Sequence, residues 1–426
     1  MKALTLVALL SFAAEPQSVK PPRKIPQPVQ EAAEQAQKKD ETPTVLKLIM
    51  QPLKRGMFIR LPVIDTDPNR GVTYGVMPIW VLQENGADRI RFIHAPSVTY
   101  NKTFLWIPTY RYYWYPTNES SLLLRGSASQ QKERELMGHF LDGDFLERDI
   151  DVELKLQFNV DGSKRFYGFG PDSPRAGETN YFEDYIQAKA AGAIPVSNGS
   201  HWKAQAAMNL LAFKLHSGRT PNLPSFEALY RGLRPENRQQ SNEMTGGILY
   251  DSRDHPVTTT RGEYLSIYAG KAVRDFMSAY DYSRYGLDAR LFKPWSPKMV
   301  SAAQFSYEQL HNDAPFWLKP SLGGKYNLRA YGEGRYVDRG VAALNFEQRF
   351  TVWSKRLAGV TTDFELAPFA GVGTAFSAPK YASARYLRPV LGGAVRAVAR
   401  PQVVGSIDVG YGQEGAKVFV DINYSF

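Results

Sequence analysis

From Gly71 onward the chain alternates apolar and polar residues in segments of about ten to fifteen, separated by Gly, Pro, Asn and Asp. Period-two alternation puts successive side chains on opposite faces of an extended strand. The last segment shows it best. Val418, Val420, Ile422, Tyr424 and Phe426 fall on one face, and Phe419, Asp421, Asn423 and Ser425 on the other. An apolar face opposite a mostly polar one fits a transmembrane strand with lipid outside and lumen inside. A strand of a β-sandwich alternates too, with its apolar face turned inward. The number and length of these segments, and the scarcity of helical periodicity between them, favour the membrane.

Eleven candidate strands run from 72–84 to 298–310, and five more follow at 341–353, 361–376, 386–399, 402–411 and 416–426. The expected fold is all-β, a transmembrane antiparallel β-barrel of about sixteen strands, an even number as single-chain bacterial barrels require. The stretch 131–147 has room for a further hairpin. Between His311 and Gly340 about thirty residues lack clean alternation and contain Gly323, Gly324, Gly332 and Gly334. A loop of that length inside a compact fold is usually functional or disordered.

The start of the chain reads differently. Lys2, the apolar run Ala3 to Leu10 and then Ser11-Phe12-Ala13-Ala14 describe a secretory signal over residues 1–14. That run is too short to span a bilayer as a helix, and no later stretch comes near the required length. A membrane protein without membrane helices is a closed barrel; the competing reading is a soluble secreted protein. Residues 15–55 carry Pro16, Pro21, Pro22, Pro26, Pro28 and Pro43 among Lys, Gln and Glu, as a charged periplasmic linker would. Residues 56–426 form the expected barrel domain.

Composition narrows the chemistry. The absence of cysteine removes disulfides, thiolate zinc sites and thiol nucleophiles. The aromatic content, 24 Tyr and 23 Phe, suits two interfacial girdles, and Tyr110, Tyr112, Tyr113, Trp114 and Tyr115 form its densest group. The net charge of +10 comes from Lys and Arg spread along the chain, with no DNA-reading motif. A charged lumen and loops facing anionic lipid account for it better than nucleic acid. Asp65 to Gly71 imitates the opening of a calcium loop, but its twelfth position is Val76 rather than Glu. The six His lack the spacing of a metal site, and no Gly-x-Ser-x-Gly elbow occurs. Neither metal, cofactor nor enzymatic chemistry is expected.

The run Leu322-Gly323-Gly324-Lys325-Tyr326-Asn327-Leu328-Arg329-Ala330-Tyr331, with Gly334-Arg335-Tyr336 and Asn345-Phe346-Glu347-Gln348-Arg349-Phe350, resembles the BamA/TamA-like barrel superfamily, the bacterial surface antigens. Asp251-Ser252-Arg253-Asp254-His255-Pro256 followed by Arg261-Gly262 resembles that family's Asp-x-Arg-Asp-x-Pro…Arg-Gly hairpin. Phe166-Tyr167-Gly168-Phe169-Gly170 resembles its Phe-Tyr-Gly-x-Gly loop. The resemblance covers roughly residues 56 to 426 and implies that the loop after the eleventh strand folds back into the lumen. Its tip would be Leu328, Arg329, Ala330 and Tyr331, with Ala330 where the family has Gly.

An arginine in a polar lumen offers five donors in a fixed fork and can pin a loop to carboxylates on the wall; the rival reading of Arg329 is a solvated loop residue. The family's acceptor lies in a Phe-x-Asp-x-Gly motif, which falls here on Phe369 to Gly373 with Gly371 in place of Asp. Glu347 and Glu365 are the candidate substitutes. Tyr424 and Phe426 form the expected terminal strand signal, facing lipid.

The resemblance implies an outer-membrane protein of a Gram-negative bacterium that assists protein insertion into, or translocation across, that membrane. Family members that do so carry POTRA domains before the barrel, and residues 15–55 are too few for one. A barrel-only member would need a periplasmic partner protein to bring client polypeptides. The alternative is a passive pore or structural surface-antigen barrel.

Overall fold

A computed structural model describes residues 50–426, except 67–68, 85–88, 132, 219, 221, 358–359, 400–402 and 423. The expected signal segment and most of the expected linker lie outside the described residues. Among those described, the main sheet has 21 strands; nineteen of them, two being the halves of one broken strand, make an antiparallel wall of eighteen in chain order. These are β1 (Gly56–Asp65), β2 (Thr73–Gln83), β3 (Ile90–His94 and Ser97–Asn101, broken between), β4 (Leu105–Trp114), β5 (Ser120–Ala128), β6 (Glu133–Asp142), β7 (Asp151–Asp161), β8 (Thr179–Pro195) and β9 (Trp202–Ser217). The wall continues through β10 (Gln239–Asp251), β11 (Gly262–Ala272), β12 (Asp281–Ser296), β13 (Met299–Asp313), β14 (Gly340–Leu357), β15 (Val360–Phe376), β16 (Arg388–Ala399), β17 (Val403–Gly412) and β18 (Gly415–Ile422). Two short pieces, Met50–Leu53 and Arg165–Phe166, pair onto β1 and β8.

The all-β antiparallel architecture is as the sequence implies, but the wall is two strands longer than sixteen. β1 lies inside the expected barrel domain but ahead of the first expected strand, because Arg60, Pro62 and Asp65 dilute its apolar pattern. β6 is the strand hidden in 131–147. The long loop therefore follows the thirteenth strand, with five strands after it.

The burial pattern is inverted relative to a soluble protein. In β17, Ser406, Asp408, Gly410 and Gly412 are buried while Ile407, Val409 and Tyr411 are exposed. In β14, Asn345, Glu347 and Arg349 are buried while Leu344, Phe346 and Val352 are exposed. Large apolar side chains outside and charged ones inside define a wall solvated by lipid. Odd-numbered strands run from what we term the lower mouth to the upper one, so the long connections 162–178, 218–238 and 314–339 share the upper mouth.

Those three connections fold together. Phe166, Phe226 and Phe316, one from each, pack together with centroid separations of 4.5 Å for Phe166–Phe316 and 4.9 Å for Phe226–Phe316. Tyr181, Phe213 and Val337 complete this apolar lid. The Phe-Tyr-Gly-x-Gly loop is stitched to the long loop by Gly170 N–H donating to Val337 O at 3.0 Å. Lys164 ties it further, to Glu333 at 2.9 Å, Glu183 at 3.3 Å and Asp161 at 3.7 Å. Burial alone would lower the Lys164 pKa, but these carboxylates raise it well above the ordinary lysine value.

Candidate functional site

The long loop enters the lumen through a small hairpin, Ser321–Leu322 paired with Tyr336–Val337. Its tip is buried: Leu328, Ala330 and Tyr331 are packed with Leu322, Tyr336, Val341, Phe369 and Val390. Tyr331 is anchored through its hydroxyl, which accepts from Gln413 N–H at 3.2 Å. Asn345 on β14 holds the loop main chain, donating to Asn327 O at 3.1 Å.

Arg329 projects from this tip into a cluster closed to solvent. Its Nη1 donates to Glu347 Oε2 at 2.9 Å and to Asp408 Oδ2 at 3.0 Å. Its guanidinium lies over the Phe369 ring, 3.5 Å from the centroid. Glu347 is the hub. Arg396 grips both its oxygens at 2.6 and 2.8 Å, and Arg349 Nε donates to Oε1 at 2.8 Å. Asp408 also accepts from Ser406 and Ser425. Three guanidiniums thus share two fully buried carboxylates, and each charge is acceptable in the interior only because the others are there.

Of the two candidate acceptors, Glu347 meets Arg329. Glu365 instead accepts from the Tyr424 hydroxyl, at 3.0 and 2.9 Å. Asp408 and Arg396 are not among the residues the sequence singles out, and Arg349 appears there only within the run that carries the resemblance, without a role. The readable signal was the inward row of β17, where an acid sits among Ser406, Gly410 and Gly412.

Those glycines have a steric reason. A Cβ on Gly410 would stand 1.9 Å from Arg329 O, and one on Gly412 would stand 2.9 Å from Ala330 Cβ. The bare strand lets the loop main chain lie directly against it, and Gly412 makes room for the methyl group of Ala330. At Gly371, where the family carries Asp, a Cβ would meet Asn345 Oδ1 at 2.6 Å. The space is taken by an amide that supports the loop, and the second acid comes from β17 instead.

The end of the chain departs from the expected lipid-facing strand. The ladder of β18 with β17 runs to Ile422, and Tyr424, Ser425 and Phe426 lie in the lumen. Tyr424 and Ser425 are buried. Ser425 donates to Asp408 at 3.1 Å, and Phe426 O accepts from Arg349 Nη2 at 3.2 Å. The charged cluster also holds this segment through its rings: Arg349 and Arg396 both lie over the Tyr424 ring, at 3.9 and 4.9 Å. Arg349 also donates to Thr259 O at 3.1 Å, joining the lower turn 252–261 to the same knot.

At the seam β1 and β18 stand side by side, but no ladder joins them among the described residues. Among the described residues they are linked by the Thr66 hydroxyl, which accepts from Val418 N at 3.0 Å and donates to Val418 O at 3.3 Å.

An antiparallel wall with lipid outside and a loop locked into its charged lumen defines a plugged transmembrane barrel. The chain belongs to the Omp85 superfamily, whose domain matches residues 119–404, a family of outer-membrane barrels. Among solved structures, CdiB from Escherichia coli is similar at a TM-score of 0.54 and 10% identity, over 85% of this chain and 66% of that one. The crystal structure of BamA from Haemophilus ducreyi lacking POTRA domains 1-3 is similar at 0.49 and 13% identity, over 85% and 73%. CdiB from Acinetobacter baumannii scores 0.42 at 13% identity, over 88% and 60%. The chain spans less than two thirds of either CdiB chain. Among curated proteins none matches the sequence.

Proposed function

We propose that this barrel assists the insertion of proteins into, or their translocation across, the outer membrane, acting with a periplasmic partner protein and without bond chemistry or cofactor. The observation that carries this reading is the seam. A membrane barrel normally satisfies every main-chain donor and acceptor through its neighbours. Here, among the described residues, no ladder joins β1 to β18, and the two edges meet at the Thr66 side chain. A main-chain edge held that lightly is a template on which an extended client segment can add as a strand. The loop lock serves the same role by keeping the lumen closed to bulk flow while the wall opens sideways.

The test is depletion of the protein in its native cell, followed by a quantitative inventory of the other outer-membrane proteins. Selective loss of a subset is the expected result. An unchanged inventory would sink the assembly role and leave a passive or structural barrel.

A further inference from the structure

The lower half of the seam is occupied by the chain itself. The strand Met50–Leu53 turns back through Lys54 and Arg55 and pairs with the start of β1, Met50 opposite Ile59 and Leu53 opposite Gly56. β2 runs along the other edge of β1 from Gly56 to Asp65. The short strand must therefore lie on the edge that faces β18. Arg60 reaches across to it, donating to Gln51 Oε1 at 2.7 Å.

Above this cap, Thr66 meets Val418. Continuing the antiparallel register downward from that contact would set Tyr424 opposite Arg60, Ser425 opposite Ile59 and Phe426 opposite Phe58. None of the three is there. They lie in the lumen, on Glu365, Asp408 and Arg349. A strand edge presents each main-chain N–H and C=O to one neighbour, so Phe58 and Ile59 cannot pair with both segments.

We propose that Met50–Leu53 and Tyr424–Phe426 are rival partners for one stretch of the β1 edge, and that the lumen cluster is where the displaced tail is held. The seam then has two states. In the capped state seen here, the upstream strand covers the edge and the tail sits on the arginines. In the zipped state the upstream strand is released and the tail leaves the cluster to extend β18 alongside β1. Each state exchanges main-chain ladder bonds for side-chain bonds in the lumen, and whatever pulls on the residues before Met50 shifts the balance. This device does not depend on the function proposed above.

Because the chain has no cysteine, introduced thiols report without background. In the triple variant Met50→Cys, Ile59→Cys, Ser425→Cys, one thiol at position 59 chooses between two partners in the folded full chain. Mild oxidation should link 59 mainly to 50. Disrupting the cap with Gln51→Pro and Leu53→Pro, or deleting residues 50–53, should raise the 59–425 link at least about fivefold, with heat-modifiable mobility checking that the barrel is folded. The pair Phe58→Cys, Phe426→Cys should respond in the same direction, which guards against Ser425→Cys itself loosening the tail. Equal 59–425 yields with and without the cap would overturn the proposal, as would a 59–425 link that dominates in the intact chain.

Discussion

Replacing Glu347 by Gln keeps the shape of the hub and removes its charge. Four charge-assisted hydrogen bonds from Arg329, Arg349 and Arg396 converge on that carboxylate, and it is fully buried. The variant leaves Arg329 and Arg396 with Asp408 alone and Arg349 with no side-chain carboxylate in the cluster. Removing one partner from a buried ion set costs about 3–5 kcal/mol. Part of that cost falls on the barrel wall, but Arg329 is the one arginine of the three carried by a loop able to leave. If about 3 kcal/mol falls on loop seating, the open population rises roughly 100-fold, at about 1.4 kcal/mol per factor of ten. Leu328→Cys, buried at the tip, supplies the readout as the rate of maleimide labelling on the folded barrel. The expected result is a rate roughly 100-fold above the Leu328→Cys parent, with Glu347→Asp intermediate. A rate within about threefold of the parent would refute the idea that Glu347 seats the loop.

Two further outcomes follow from local geometry. Gly410→Ala should unseat the tip through the clash of its Cβ with Arg329 O at 1.9 Å, raising Leu328→Cys labelling, whereas Gly393→Ala, with open space around it, should leave labelling unchanged. At the upper mouth, partial desolvation alone would raise the pKa of Glu227, but hydrogen bonds from Ser225, its own main chain, Arg234 and Ser217 bring it down to about 2. A depressed carboxylate pKa stabilises the loop above the ordinary value near 4.5, and that contribution fades as pH falls toward 2. Pepsin cleavage near the short helix Phe226–Leu229, normalised to unfolded chain, should therefore climb between pH 4.5 and 2 and be flat in Glu227→Gln; a flat wild-type profile would count against it.

Much of this architecture was legible in the sequence because a transmembrane wall enforces period-two alternation wherever lipid meets one face and charge the other. Where that alternation blurs, the reading slipped. β1, with Arg60 and Pro62, lies at the seam and is not held to the pattern of a strand paired fully on both sides. The arginine at the loop tip stood out through its glycine-rich surroundings. Of its partners, Glu347 stands in the run that carries the resemblance and is a candidate from the sequence; Arg396 and Asp408 are not, because they come from two other strands and only the closed wall brings them within bonding distance. The tail misled for a related reason. Tyr424 and Phe426 continue the apolar row of β18, yet Arg349, Arg396, Glu365 and Asp408 offer the segment more partners in the lumen than the seam does, and no local pattern encodes that competition.

The central claim is that a loop locked through Arg329 closes the lumen. Planar-bilayer conductance of the purified barrel tests it most directly, comparing the wild-type chain with Arg329→Ala. The wild type should show small, infrequent openings, and the barrel without Arg329 a sustained, severalfold larger conductance. A wild-type barrel that already conducts like an open pore, or an Arg329→Ala barrel that stays closed, would contradict it.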